Sequence, residues 1–177
     1  MPFKGGVSSA VRRRVAALVA TEDDPRIDIS FSGHVSSSAY MEELASSKFC
    51  LHMKGSRVVS PRLIESVWFG CVPVILADHY DLPLSHLVDW NKFAVIIPEA
   101  DADELFTRIR AANWRALREN LQRVAPMFLY HRRPIFGDAF YSTALAVRDR
   151  IAARFQDCAR DVFEGFEADI PWRSKPV

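Results

Sequence analysis

The stretch from residue 49 to residue 77 reads FCLHMKGSRVVSPRLIESVWFGCVPVILA. Its two ends, FCLHM at 49–53 and CVPVILA at 71–77, are short apolar runs of the kind found in strands that are buried on both faces. Such strands belong to parallel sheets, whose faces are covered by helices. We therefore expect this stretch to supply two strands of a parallel sheet.

The residues between these two runs predict a helix. Ser60 followed by Pro61 is typical of an N-cap and a first helical residue. The helix is expected over 62–69 and ends at Gly70, which is more typical of a helix terminator than of a ligand contact. A strand, a helix and a strand in this order predict a parallel β-α-β unit.

The same alternation of strands and helices extends in both directions along the chain. The other predicted strands lie over 26–31 and 93–97. The other predicted helices lie over 8–20, 101–111, 114–124 and 136–156, with one more that is capped at 36–38 and a short one that reaches Trp90. This order predicts an α/β fold, a Rossmann-like parallel sheet with helices on both faces and a helical C-terminus. We assign residues 1–160 to this domain and 161–177 to an irregular tail.

The first predicted helix, over residues 8–20, is amphipathic. Its apolar residues recur at helical spacing, and the remaining surface carries Arg12, Arg13 and Arg14. The three arginines are therefore expected to face solvent.

The start of the chain is unusual for this fold class. A doubly wound domain normally opens on a central strand, whereas here little more than Pro2-Phe3 precedes the first glycine pair. The chain thus starts just after, or inside, its own first strand. We expect the first strand to be truncated. Apolar surface should then be exposed where the lost strand and a partner domain would pack.

Composition limits the function classes. The chain has 177 residues, 49% of them hydrophobic, which suits one sizeable core. Lys and Arg total 23 against 22 Asp and Glu, so the net charge of +1 gives no global field that would favour nucleic acid or an anionic membrane. Neither a signal peptide nor a run of about 18 apolar residues occurs in the sequence.

The three cysteines, Cys50, Cys71 and Cys158, are far apart in the sequence. They lack the close spacing of metal sites or disulfide scaffolds. We therefore expect buried or idle thiols.

The loop and helix that follow the first buried strand favour a phosphate site. Ligands of open α/β sheets bind where strand ends and helix N-termini meet, and a helix N-terminus suits an anion. Gly55 would let the backbone approach a ligand, and Ser56 or Ser60 would donate a hydroxyl hydrogen bond. Arg62 would bind a diphosphate, and Glu65 on the same helix face would accept hydrogen bonds from ribose hydroxyls.

Simpler structural roles remain open for these residues. Arg62 and Glu65 also have the spacing of an ordinary i,i+3 ion pair on a solvated helix. Lys54 and Arg57 either join the phosphate site or only solubilise the loop. His52, inside an apolar run, is more typical of a core histidine than of a catalytic base.

The same residues carry a resemblance to a known family. The run from 47 to 75 resembles the signature of the exostosin family of glycosyltransferases, family 47. Further groups follow in the same order as in plant members that build cell-wall polysaccharides, namely Leu82-Pro83-Leu84, Asp89-Trp90, Phe93-Ala94-Val95 and Asp138-Ala139-Phe140. The likeness covers about residues 3–150.

The resemblance implies the GT-B architecture, in which the C-terminal Rossmann-like domain binds the nucleotide sugar and the acceptor lies across a cleft. It implies a UDP-sugar donor, a polysaccharide or glycan acceptor, no tightly bound cofactor and a Golgi location. Carried over by motif, Gly55 and Ser60 line the diphosphate, Arg62 neutralises it and Glu65 holds the ribose. Asp78, after the next strand, faces the sugar or the acceptor.

The chain also departs from the family pattern. The N-terminal domain, with the acceptor platform and the general base, is not recognisable here, and neither is the family's membrane anchor. Arg57 stands where many GT-B enzymes carry a second glutamate before the one that matches Glu65. Asp101-Ala102-Asp103 fits the Asp-x-Asp pattern of metal sites, but its place at a helix start predicts capping instead. No metal site is therefore expected.

Three functions follow from this reading. The first is the donor-binding half of a glycosyltransferase, active together with a missing domain or partner chain. The second is a catalytically inactive nucleotide-binding or interaction module. The third, a small-molecule enzyme with a flavodoxin-like sheet, would need a phosphate loop after an early strand, and the sequence lacks one.

Overall fold

A computed structural model of the chain describes residues 3–4, 6, 8–25, 27, 29–31, 36–55 and 59–154. The predictions made for Ser56, Arg57, the end of the last helix at 155–156 and the tail over 161–177 lie outside these residues.

The described strands are all parallel to their neighbours. They are β1 (Phe3–Lys4), β2 (Ile29–Ser30), β3 (Phe49–Met53), β4 (Val72–Leu76) and β5 (Val95–Ile96). β1 pairs with β2, β3 with β4, and β4 with β5, while β1 also packs beside β3. Hydrogen bonds thus define two sheets, β1-β2 and β3-β4-β5, which meet where β1 lies against β3. From this place the chain crosses from β1 to β2 in one direction and from β3 to β4 in the other, which makes it the kind of topological switch point where open α/β sheets bind ligands.

β3 and β4 are the two central strands, because β1 lies beside β3 and β5 pairs with β4. All of their residues are buried, and Leu51 is aligned with Val74 in the middle of the ladder. Burial on both faces explains why these strands are continuous apolar runs without polar alternation. The structure confirms the predicted α/β class with a parallel sheet.

Helices connect the strands and form the C-terminal part. They are α1 (Ala10–Val19), α2 (Ser37–Ser46), α3 (Pro61–Trp68), α4 (Leu105–Ala111), α5 (Trp114–Val124) and α6 (Ala139–Arg154). Ser9, Ser36 and Ser60 cap the first three helices through their hydroxyl oxygens. Within the described residues, no helix has the length and apolar character needed to cross a bilayer.

The end of α3 confirms the structural role predicted for Gly70. Gly70 has a positive φ of 69°, which a glycine adopts without a steric cost. Its N–H donates to the Val67 carbonyl, and the N–H of Cys71 donates to the Ser66 carbonyl. These two bonds form a Schellman motif, which ends the helix and turns the chain into β4.

The cysteine prediction is wrong for two of the three residues. Cys50 in β3 and Cys71 just before β4 form a disulfide, with their Cα atoms 5.7 Å apart. Both are fully buried and pack with Leu44 of α2. Sequence spacing did not reveal the bond because the two residues are 21 positions apart and meet only when β3 and β4 pair.

The segments after β4 depart from the prediction in detail. Residues near Trp90 form turns and a 3-10 helix, Trp90–Lys92, which begins rather than ends at the tryptophan. The residues before α4 form another 3-10 helix, Glu99–Glu104. α6 begins at Ala139, because Asp138 accepts hydrogen bonds from the N–H groups of Phe140 and Tyr141 and so caps the helix there.

Apolar side chains are exposed along α6. Phe140, Val147 and Ile151 are partly open to solvent, and their spacing places them on one side of the helix. Exposed apolar surface is therefore present, while its connection to a lost strand or domain stays a prediction.

Candidate functional site

The site lies at the carboxyl ends of β1 and β3, next to the start of α3. β3 is followed by Lys54 and Gly55, and the N–H of Lys54 still donates to the Leu76 carbonyl at the end of β4. The hydroxyl of Ser9, at the start of α1, donates to the Lys54 carbonyl over 2.6 Å. The first turn of α1 is thereby fastened to the end of β3.

Two arginines meet on one phenylalanine in this region. The guanidinium carbon of Arg62 lies 4.8 Å from the ring centroid of Phe3, and that of Arg12 lies 5.1 Å from the same centroid. Phe3 is fully buried in β1. Both cations therefore gain a cation–π contact and are held close to each other at the switch point.

The expectation that Arg12 faces solvent is wrong. Arg12 is partly buried, and its guanidinium donates hydrogen bonds to the carbonyls of Gly6, at 2.9 Å, and Met53, at 3.2 Å. Helical periodicity identified the apolar side of α1 correctly, since Val11 and Val15 are buried. It could not show that the loops after β1 and β3 fold over the arginine.

Gly55 lies directly against Arg12. A Cβ atom built on Gly55 would approach Nη2 of Arg12 to 2.8 Å. The absence of a side chain at Gly55 is therefore what leaves room for this guanidinium. The sequence had suggested a close approach of backbone to ligand, and the structure shows a close approach of backbone to a cation.

Glu65 contacts Tyr40 of α2, a partner that was not anticipated from the sequence. The hydroxyl of Tyr40 donates to Oε2 of Glu65 over 2.7 Å. Burial, followed by this hydrogen bond and the charge of Glu65, raises the pKa of Tyr40 to about 12, with Arg62 acting in the opposite direction. The phenol therefore remains a neutral donor that holds the Glu65 carboxylate beside Arg62.

Lys54 and Asp78 meet at Glu99 in a second group. The amide of Asp78 donates to Oε1 of Glu99, and the amide of Glu99 donates to Oδ1 of Asp78. Nζ of Lys54 lies 3.7 Å from the same Glu99 oxygen. The two predicted site residues are thus brought together at the ends of β3 and β4, through a glutamate that the sequence analysis did not single out.

Ser60 acts as the N-cap of α3. Its Oγ accepts from the N–H of Arg62 over 3.4 Å. The binding roles of Ser60, Arg62, Glu65 and Asp78 stay predictions.

His52 is a core residue, as its apolar surroundings indicated. It is 1% exposed, and its ring stacks on Tyr80 at a centroid distance of 5.7 Å. Burial raises the pKa of Tyr80. His52 therefore has no access to a substrate that binds at the surface.

The capping role predicted for Asp101 and Asp103 is wrong. Neither the 3-10 helix over Glu99–Glu104 nor α4 has a side-chain cap. Asp101 pairs with Arg108, and Asp103 pairs with Arg14 of α1. Among the residues that the structure describes, no group of three or more His, Cys, Asp or Glu side chains is arranged to hold a metal ion.

A separate cavity of about 420 Å³ lies beside β5. It is lined by Leu82, by the segment from Ser85 to Asn91 and by Ile96. None of the residues grouped around Arg62 or Glu99 lines it. Its lining mixes apolar side chains with Ser85, His86 and Asp89 and provides no cation for a phosphate.

The sequence matches a family model described as the Exostosin GT47 domain over residues 1–112. The chain belongs to the exostosin GT47 family. The matched part contains β1 to β5 and therefore both groups of site residues. The family membership confirms the resemblance noted in the sequence.

Individual relatives of this exostosin-family chain carry exostosin or glycosyltransferase names. It is 39% identical to the exostosin-1 homolog of Caenorhabditis elegans over 51% of the chain and 24% of that protein. It is 35% identical to a probable glucuronosyltransferase of Oryza sativa subsp. japonica over 68% of the chain and 29% of the relative. A probable beta-1,4-xylosyltransferase of Arabidopsis thaliana is 33% identical over 93% of the chain and 39% of its own length. The chain thus spans between about a quarter and two fifths of these relatives.

Proposed function

We propose that this chain is the donor-binding part of a glycosyltransferase that transfers a sugar from a UDP-sugar to a glycan acceptor. The observation that carries the proposal is the meeting of Arg62 and the Tyr40–Glu65 pair at the start of α3, in a chain of the exostosin GT47 family. The relatives named as glucuronosyl- and xylosyltransferases support the transfer chemistry.

The geometry suits a nucleoside diphosphate. Arg62 lies in the first turn of α3, where its charge adds to the partial positive charge of the helix N-terminus. The diphosphate gains negative charge as the bond to the sugar breaks. Preorganised cations at that position stabilise the departing UDP and lower the barrier to transfer.

Glu65 supplies the complementary contact to the ribose. One carboxylate oxygen accepts from Tyr40, and the other would accept from a ribose hydroxyl. An acidic residue has this role in dinucleotide-binding α/β folds. Asp78, at the end of β4, would lie toward the sugar or the acceptor.

The disulfide supports a location in the secretory pathway. Disulfides persist in oxidising compartments and are rare in the cytosol. The buried Cys50–Cys71 bond therefore fits the Golgi lumen, the location that the family resemblance implies.

Titration of the purified chain with UDP and with ADP tests the proposal. We expect selective binding of UDP, with a dissociation constant on the order of 1 mM or tighter, and its loss in Arg62→Ala and Glu65→Ala. Arg115→Ala, in α5, is the matched control and should bind UDP like the unaltered chain. A folded chain that binds neither nucleotide would rule out the donor site and favour an inactive interaction module.

A further inference from the structure

Arg12 is held at the switch point by the backbone of two loops. Its guanidinium donates to the carbonyl of Gly6, which follows β1, and to the carbonyl of Met53, the last residue of β3. Its Nη1 also lies 3.4 Å from the hydroxyl of Ser8. These contacts direct the charged end of the side chain toward the same strand ends where Arg62 lies.

No acidic side chain in the described part of the chain compensates the charge of Arg12. Among the described residues, none forms an ion pair with it, and its Nε atom is buried without a hydrogen-bond partner. Burial and, second, the neighbouring charge of Arg62 lower the pKa of Arg12, although a guanidinium stays protonated at neutral pH. Two neighbouring positive charges in a partly buried place repel each other, and an anion bound to both offsets this repulsion.

The spacing of the two arginines suits a diphosphate. Each guanidinium carbon lies about 5 Å from the Phe3 centroid, so the two are at most about 10 Å apart, within the screening length of about 10 Å at 0.1 M salt. A diphosphate offers oxygens on two phosphorus atoms, one group for each forked donor.

We propose that Arg12 is a second diphosphate-binding residue of the donor site and that it binds the UDP diphosphate together with Arg62. The inference rests on the proposed function and adds to it a residue from α1. The site then contains two cations, Arg12 from α1, which follows β1, and Arg62 from α3, which follows β3. Gly55 has a defined part in it, since it leaves the space that the Arg12 guanidinium occupies.

A purely structural role for Arg12, tying two loops together, makes a different prediction. If Arg12 only connects the two loops, its loss would lower the free energy of unfolding and weaken the binding of every ligand of the site to the same extent. Loss of a phosphate contact lowers the affinity for UDP and leaves the affinity for uridine, which has no phosphate, unchanged. The ratio of the two affinities therefore separates the roles.

The experiment compares the unaltered chain with Arg12→Gln, Arg12→Lys and Arg13→Gln, using UDP and uridine as ligands observed by NMR. Arg13 is exposed on the same helix, so Arg13→Gln controls for the lost charge. We expect Arg12→Gln to lower the affinity for UDP by about ten- to a hundredfold and to leave the affinity for uridine unchanged. Arg12→Lys should restore part of the lost affinity for UDP. Arg13→Gln should bind both ligands normally.

Two results would overturn the inference. If Arg62→Ala loses UDP while Arg12→Gln keeps it, the donor site stands and Arg12 has no part in it. If Arg12→Gln weakens UDP and uridine equally, Arg12 is a structural tie. Failure of the unaltered, folded chain to bind UDP is a different outcome, because it removes the proposed function and this inference together.

Discussion

At the residue scale, the Tyr40–Glu65 hydrogen bond is the contact that gives a carboxylate of α3 a fixed orientation. The neutral phenol of Tyr40 donates to Oε2 of Glu65, and the proposed ribose contact uses the other carboxylate oxygen. Because the pKa of Tyr40 is raised to about 12, this donor stays protonated throughout the physiological range. The orientation of Glu65 is therefore insensitive to pH near neutrality.

Removal of the Tyr40 hydroxyl should weaken nucleotide binding. We expect Tyr40→Phe to lower the affinity for UDP by about two- to tenfold, the equivalent of one hydrogen bond, as measured by calorimetry. Tyr130→Phe is the control, since Tyr130 is 69% exposed. Unchanged binding in Tyr40→Phe alongside loss in Glu65→Ala would show that Glu65 needs no orienting donor.

A methyl group at Gly55 should act through Arg12. Gly55→Ala brings Cβ to 2.8 Å from the end of the Arg12 side chain, and this flexible end can move away at little cost in folding free energy. We expect Gly55→Ala to lower the affinity for UDP about tenfold when Arg12 is present and to have little further effect when it is combined with Arg12→Gln. A double-mutant cycle measures the difference. Equal effects in both backgrounds would mean that Gly55 meets the ligand itself.

The sequence pointed to those residues of the candidate site that share one segment, and their binding roles stay predictions. Gly55, Ser60, Arg62 and Glu65 were selected because a loop and a helix start follow a buried strand. Residues that join them from other segments were missed. Tyr40 and Arg12 reach the site through tertiary packing of α2 and α1, and their local patterns, a serine-capped helix and an arginine run, give no sign of it.

At the element scale, the start of α6 depends on one buried carboxylate. Asp138 is 2% exposed and accepts from the N–H groups of Ile135, Phe140 and Tyr141. Burial alone would raise the pKa of Asp138, but these three donors and the charge of His131 outweigh burial and lower it. The Asp138-Ala139-Phe140 motif that supported the family resemblance is thus explained by helix capping.

The pH dependence of this cap has a definite sign. A lowered pKa means that ionised Asp138 stabilises the fold above its ordinary value of 3.8 and that this stabilisation is lost as the pH falls through the folded-state pKa. Asp138→Asn should therefore destabilise the chain at pH 7, with a difference from the unaltered chain that shrinks below pH 3.8. Urea unfolding across this range measures it, and a difference independent of pH would contradict the assignment. Asp103→Asn, at an exposed carboxylate, serves as the control.

The elements themselves were predictable to different degrees. β3, β4, α3 and α5 were placed within one residue, because strong apolar runs and caps mark their ends. The region after β4 was less predictable. Its 3-10 helices and the two-residue strand β5 lack a periodic pattern, and their shape depends on contacts such as the Asp78–Glu99 pair.

At the scale of the whole molecule, the Cys50–Cys71 bond joins the two central strands. The chain-entropy treatment gives a stabilisation of about 3 kcal/mol for a loop of this size. We expect a reductant to lower the free energy of unfolding by this amount in denaturant titrations. The Cys50→Ala/Cys71→Ala double variant should show the lower stability from the outset and no further response to reductant. A reductant effect of equal size in the double variant would place its origin elsewhere.

The same bond encloses most of the proposed donor site within a covalent ring. The 21-residue separation between the two cysteines takes in Lys54, Gly55, Ser60, Arg62 and Glu65, with Asp78 outside. A protease that cuts the chain once inside this ring cannot release a fragment. The nicked molecule would run as one band on a non-reducing gel and as two bands after reduction, with its nucleotide-binding residues still attached to both central strands.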